Sequence, residues 1–254
     1  MCLINFQFQE HPKYKLIVAA NRDEFYKRPT APAHFWEDEP TILAGRDLLQ
    51  MGTWLGITKQ GRFAALTNYR DPAHMTNDKI SRGEIISNYL VGNVSPEDYL
   101  TSLNIKKEDY NGFNLIIGSP DQLLYYNNIE GEITELSAGT HGLSNHFLNT
   151  PWPKVISGKK MLHDYVMKKY LVQPSELFEI LSNAEIAEDL YLPKTGIDIE
   201  LERQLSPLFI KTAEYGTRCS TVLLVDKENN VTFVERTYEN GLFKNESHFT
   251  FNVE

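Results

Sequence analysis

The chain has 254 residues, 41% of them hydrophobic and 23% charged, with a formal net charge of -9. Those values describe a globule able to bury a substantial core without disulfide staples. With no basic block to offset the negative balance, a nucleic-acid or anionic-membrane surface is excluded.

The opening "CLINFQF" alternates as a strand does, and "YKLIVAANR" follows after an "EHPK" turn, so the chain is predicted to begin with a hairpin. "AANRDEFYKRP" is read as the end of the second strand, with Asn21, Arg22, Asp23 and Glu24 as four consecutive polar groups after a buried run. "KRPTAPAHFWEDEP" is rich in proline and is expected to be an irregular loop. "TWLGITKQGRFAALTNYR" is predicted to be a second hairpin turning at Lys59-Gln60-Gly61.

Helices come next. Ser81 and Glu84 have capping-box spacing in "SRGEIISNYL", and Ser95 with Pro96 has the form of an N-cap followed by N1. Strands return in "FNLIIGS", "QLLYYNN" and "GEITELS". A third helix is predicted after Thr150 with Val155, Leu162 and Val166 on one stripe. A fourth lies in "PSELFEILSNA", with Leu177, Ile180, Leu181 and Ala184 inward. Three strands, "RCSTVLLVD", "VTFVERTY" and "SHFTFNV", close the chain through "NN" and "NG" turns. This order predicts one α+β domain over residues 1–254, with two antiparallel sheets covered by helices.

The chain contains two cysteines, Cys2 and Cys219, and seven scattered histidines. That composition suits neither a disulfide framework nor a zinc site, and no cofactor or metal is expected. The N-terminus lacks a signal-peptide pattern, and no apolar run approaches the ~20 residues that span a bilayer. A cytoplasmic location follows as an expectation, in which Cys2 remains a thiol.

Cys2 is the residue with the most chemistry to offer. Removal of the initiator methionine would set an α-amine of pKa about 8 beside a thiol of pKa about 8.5, a nucleophile carrying its own base. Such a group needs a cation for the thiolate, a carboxylate for the amine and donors for an oxyanion. Arg22 and Asp23 lie one hairpin away. Asn68 ends an apolar strand, Asn145 precedes a helix, and Arg218 stands at the mouth of a buried strand.

The segments "MCLINF", "VAANRDEFYKRPTAPAHFW", "GTWLGITKQGRFAALTNYR", "SRGEI", "GLSNHFLNTPWPKV" and "GTRCSTVLLVD" resemble the NRDE, or transport and Golgi organisation 2, family across nearly the whole chain. The resemblance implies the αββα four-layer sandwich of the N-terminal nucleophile hydrolases and is nearest to their choloylglycine hydrolase and penicillin V acylase branch. It assigns Cys2 as nucleophile, Arg22 and Asp23 as the pair around it, Asn68 and Asn145 as oxyanion and amine-orienting positions, and Arg218 as the late arginine. That branch separates its arginine and aspartate by two residues. Here they are adjacent, which leaves Asn21 or Glu24 as substitutes for Asp23.

The implied activity is hydrolysis of a linear amide in a small acyl compound. The alternative is a non-enzymatic carrier or chaperone for haem, or for an acyl or lipid molecule, in the same cleft, with Cys2 and His146 as axial haem ligands. A third reading, a protein-interaction role, would use Trp36 and Trp152 as exposed aromatics. The partner expected in the first two cases is a small molecule, and nothing in the sequence indicates an oligomeric state.

Overall fold

The structure is a computed structural model and describes residues 2–76 and 78–254. Six strands lead: β1 (Cys2–Phe8), β2 (Tyr14–Phe25), β3 (Thr30–Phe35), β4 (Ile42–Asp47), β5 (Leu55–Thr58) and β6 (Phe63–Asn68). Helices α1 (Gly83–Val91) and α2 (Pro96–Ile105) follow, then β7 (Phe113–Ser119), β8 (Gln122–Asn127), β9 (Ile133–Glu135) and β10 (Gly139–Leu143). Helices α3 (Pro153–Val166), α4 (Pro174–Leu181) and α5 (Ile199–Gln204) precede the last strands, β11 (Tyr215–Asp226), β12 (Asn230–Glu239) and β13 (Leu242–Asn252).

The strands form two antiparallel sheets. One has the order β10-β1-β2-β11-β12-β13 and the other β3-β4-β5-β6-β7-β8-β9. Alternation along β1 and β2 turns Ile4, Phe6, Phe8, Leu16 and Val18 toward the second sheet, where they pack with Ile57, Phe63 and Ile116. The other face of the first sheet carries Ile17, Ala19 and Val222 against Leu162 and Val166 of α3 and Leu177 and Phe178 of α4. The second sheet's outer face buries Leu66 and Leu115 against Ile85 and Ile86 of α1 and Leu100 of α2. Three apolar layers between four structural layers make this the αββα sandwich. No helix among the described residues is long and apolar enough to cross a membrane.

Several local expectations need correction. The proline-rich segment forms β3, because it is the edge strand of its sheet, where Pro32 removes no ladder bond. Its Ala33 N–H is satisfied from the other sheet by Glu235 Oε1 at 2.6 Å. The second strand does end within "AANRDEFYKRP", at Phe25, and the four polar residues before that end are still in the ladder, since β11 pairs with β2 as far as Phe25. The capping box at Ser81 does not form. Arg82 is the N-cap of α1 without a side-chain bond, whereas Ser95 caps α2 by accepting from the Asp98 N–H at 3.1 Å. Ala184 lies beyond the end of α4 and is exposed, and Phe178 takes its inward place. Trp36 and Trp152 are buried, so neither offers an exposed aromatic surface. The predicted turn at "NG" is present, with φ of 51° at Asn240 and 73° at Gly241.

Candidate active site

Register brings the two cysteines to either side of one arginine. Cys2 pairs across from Arg22, and Arg22 pairs across from Cys219 on the next strand, so all three occupy the face turned toward the second sheet. A β-bulge between Thr217 and Cys219 sets Arg218 out of the ladder. These residues, with Asn68, Arg82 and Glu235, line a cavity of about 810 Å³.

One wall depends on a close backbone approach. Gly52 lies against Gly83, and the Thr53 N–H donates to the Gly83 carbonyl at 3.2 Å. A Cβ added at Gly52 would sit 2.5 Å from the Gly83 carbonyl carbon, so "GTW" and "SRGEI" meet because neither glycine has a side chain.

Cys2 is buried, with the backbone of Asp23 close enough to favour its thiolate. Burial pushes the thiol above its ordinary value and Asp23 adds to that, while Arg22 opposes it. A second guanidinium, Arg82, shares this field. It donates to the Gly112 carbonyl at 2.9 Å, and burial lowers its affinity for its proton while Cys2 and Glu24 raise it. Cys219 is buried beside Glu235. Burial drives the Cys219 thiol well up and raises the Glu235 carboxyl as well.

Consecutive residues on a strand point to opposite faces, which decides what the adjacent Arg22 and Asp23 do. Arg22 faces the cavity and pairs with Glu24 at 3.6 Å. Asp23 turns its carboxylate to the helical side, where Oδ1 accepts from Thr217 Oγ1 at 2.8 Å. Burial pushes this carboxyl up and the nearby Lys154 ammonium draws it back.

Asn21 is no substitute for Asp23. Its Nδ2 donates to the carbonyls of Leu181 and Leu208 at 2.9 and 2.8 Å, and its Oδ1 accepts from Ser220 at 2.6 Å. Glu24 lies on the cavity wall, with Oε1 accepting its neighbour Phe25's N–H at 2.9 Å.

Asn68 lines the cavity. Asn145 sits behind it, fully buried, donating from Nδ2 to the Asn68 carbonyl at 3.0 Å. The Arg218 guanidinium is committed to the backbone. It donates to the carbonyls of Phe25, Tyr26 and Arg28 at 2.9–3.1 Å and fastens the β2–β3 corner. Cys2, Arg22, Asp23, Asn68 and Arg218 thus share one cavity, and Asn145 braces it from behind.

His146 does not line that cavity. Its ring nitrogens contact Tyr69 Oη at 3.1 Å and Thr150 Oγ1 at 3.0 Å, and its ring is packed among Tyr69, Phe147 and Trp152. Among the described residues no cluster of three or more His, Cys, Asp or Glu side chains could hold a metal ion.

Sequence reasoning passed over Arg82, Lys154 and Glu235, among other charged residues of this region. Of these Glu235 was detectable, because Val231, Phe233 and Glu235 share one face in "VTFVERTY" and two of the three are core residues.

The sequence profile of the family described as Transport and Golgi organisation 2 matches residues 1–240. The mouse Transport and Golgi organization 2 homolog is 37% identical over 261 aligned residues, covering 93% of each chain. The chain belongs to the Transport and Golgi organisation 2 family. The Drosophila melanogaster member is 30% identical over 273 residues, covering 93% of this chain and 92% of its own.

Among solved structures, a variant of the conjugated bile acid hydrolase of Clostridium perfringens superposes with a TM-score of 0.56. It covers 100% of this chain and 98% of its own at 11% identity. The Caenorhabditis elegans ortholog of N-acylethanolamine-hydrolyzing acid amidase gives 0.53, covering 88% and 92% at 10% identity. At such identities the likeness is one of fold. This Transport and Golgi organisation 2 chain has the N-terminal nucleophile hydrolase architecture.

Proposed function

We propose that this chain is a cysteine amidohydrolase cleaving a linear amide in a small acyl compound, in a reducing compartment such as the cytoplasm and without a cofactor. The observation that carries the reading is Cys2 on the cavity wall, paired across from Arg22 and within the field of Arg82. Met1, whose removal the reaction requires, lies outside the described residues.

Once the α-amine is liberated, it takes the thiol proton as sulfur bonds to the substrate carbonyl carbon. Arg22 and Arg82 stabilise the thiolate, and Asn68 donates to the developing oxyanion, a type of contact whose loss typically raises a barrier by about 3 kcal/mol. Collapse breaks the C–N bond, and the leaving amine collects the proton from the α-ammonium. Water then attacks the thioester, transferring its own proton through the α-amine. The acid departs and the thiol is restored. Asn145 holds the strand end that presents Asn68, and Arg218 holds the β2–β3 corner.

The test is intact mass of protein purified from its own host, followed by hydrolysis of a panel of N-acyl amides by wild type and Cys2→Ala. A mass lacking methionine and a rate abolished by Cys2→Ala are expected. Retained methionine, or equal rates in the two proteins, refutes the reading. One feature favours the carrier alternative: burial pushes the Cys2 thiol above its ordinary value. Binding of the same acyl amides, undiminished in Cys2→Ala and without turnover, is what a carrier would give.

A further inference from the structure

Lys154 is buried at 2% exposure, in the first turn of α3, directly after Pro153. Both features are unfavourable for an ammonium. Desolvation disfavours the charge, and the N-terminus of a helix carries a partial positive charge of its own. The side chain is nonetheless held in place. Trp152 is the N-cap, and the Arg70 guanidinium stacks over its ring at 4.8 Å while pairing with Glu202 at 2.6 Å. So anchored, the Lys154 Nζ reaches Asn145 Oδ1 at 3.4 Å, and the amide of Asn145 in turn grips the Asn68 strand end.

Four ionisable groups face this ammonium from the surrounding elements. They are Asp23 on β2, Cys2 on β1, Arg70 beyond β6 and Glu202 on α5. Burial holds the amine down to about 8, Asp23 is the strongest influence raising it, and Arg70 opposes it.

We propose that Lys154 is a positioning residue for Cys2: its buried ammonium orients Asn145, balances Asp23, and supplies the positive field in which the Cys2 thiolate forms. This rests on Cys2 as the nucleophile named above. Lys154 keeps its proton throughout the reaction and forms no bond to substrate. Unlike Arg22 and Arg82 it does not line the cavity, and it acts from behind the link between Asn145 and the Asn68 strand end.

The test is the pH profile of Cys2 alkylation by iodoacetamide, read by peptide mass, in wild type, Lys154→Met and Lys154→Arg. In Lys154→Met, alkylation near pH 7, where an amine held down to about 8 still carries its charge, should be about tenfold slower. Lys154→Arg, which keeps the charge, should recover at least half of that loss. The same comparison in an Asp23→Asn background leaves no carboxylate orphaned and serves if Lys154→Met does not fold. There too the methionine variant should react more slowly near neutral pH than its parent. Superimposable profiles in either background would reduce Lys154 to a helix anchor and overturn the proposal. Alkylation does not depend on turnover. Failure to hydrolyse any amide would therefore count against the hydrolase reading alone, and an unmoved profile against Lys154 alone.

Discussion

Asn21→Leu is the sharpest structural test, because leucine keeps asparagine's branched shape and removes its hydrogen bonding. Three hydrogen bonds disappear: two from Nδ2 to the Leu181 and Leu208 carbonyls, and one from Ser220 Oγ to Oδ1. At about 1 kcal/mol each they amount to about 3 kcal/mol. The site is fully buried, so the carbonyls and the hydroxyl have no solvent to replace their partner. Partial desolvation adds about 1 kcal/mol, for a total near 4 kcal/mol. In a chain of this size that lowers the thermal midpoint by about 12 °C. Urea unfolding followed by the fluorescence of the buried Trp36, Trp54 and Trp152 measures it directly. Cys2 alkylation should remain unchanged, because Asn21 faces the helices. A loss below about 1 kcal/mol would mean that the two carbonyls find other donors, and the assignment of Asn21 as the tie between α4, the segment before β11 and the sheet would be wrong.

Two further outcomes follow from buried charge. Arg70→Met leaves the enclosed Glu202 without its guanidinium, so it should destabilise by about 3–5 kcal/mol in urea, and adding Glu202→Met should recover much of the loss; a second mutation that only worsens stability contradicts the pairing. Burial raises the Glu235 carboxyl above its ordinary 4.5, so the folded state holds that proton more tightly than the unfolded state, and Glu235 favours the fold at acid pH and loses that contribution as pH rises. Glu235→Gln removes this dependence. Urea midpoints at acid and neutral pH should show the variant gaining on wild type as pH rises, and the opposite slope would refute the assignment.

Much of the architecture was legible because the strands alternate cleanly. "CLINFQF", "FNLIIGS" and "RCSTVLLVD" each became a strand, and Val155, Leu162 and Val166 became the buried stripe of α3. What escaped is non-local. β3 is stabilised by pairing with β4 and by Glu235 from the other sheet, neither of which leaves a mark on "TAPAHF" itself. Ser81 and Glu84 had the right spacing for a capping box, but tertiary contact won: Gly83 must approach Gly52, and the helix starts there with Arg82 turned to the cavity. Lys154 was hidden by its chemistry, since a lysine beside a proline ordinarily reads as a solvated helix start.

The "NRDE" run shows how the candidate site divides its work between the two faces of one strand. Because β2 continues through these residues, the period of two sends Asn21 and Asp23 to the helices and Arg22 and Glu24 to the cavity. Asn21 ties the helical layer to the sheet, and Asp23 meets Lys154 there. Arg22 stands between the two cysteines, restrained by Glu24. The adjacency of arginine and aspartate therefore turns the Asp23 carboxylate away from the face that carries Cys2 and Arg22, to Thr217 and the Lys154 ammonium on the helical side. A one-residue slip of β2 would exchange the two faces, burying Arg22 among the helices and exposing Asn21 to the cavity. The register shared with β1 and β11 is what makes four consecutive polar residues tolerable in the middle of a sandwich.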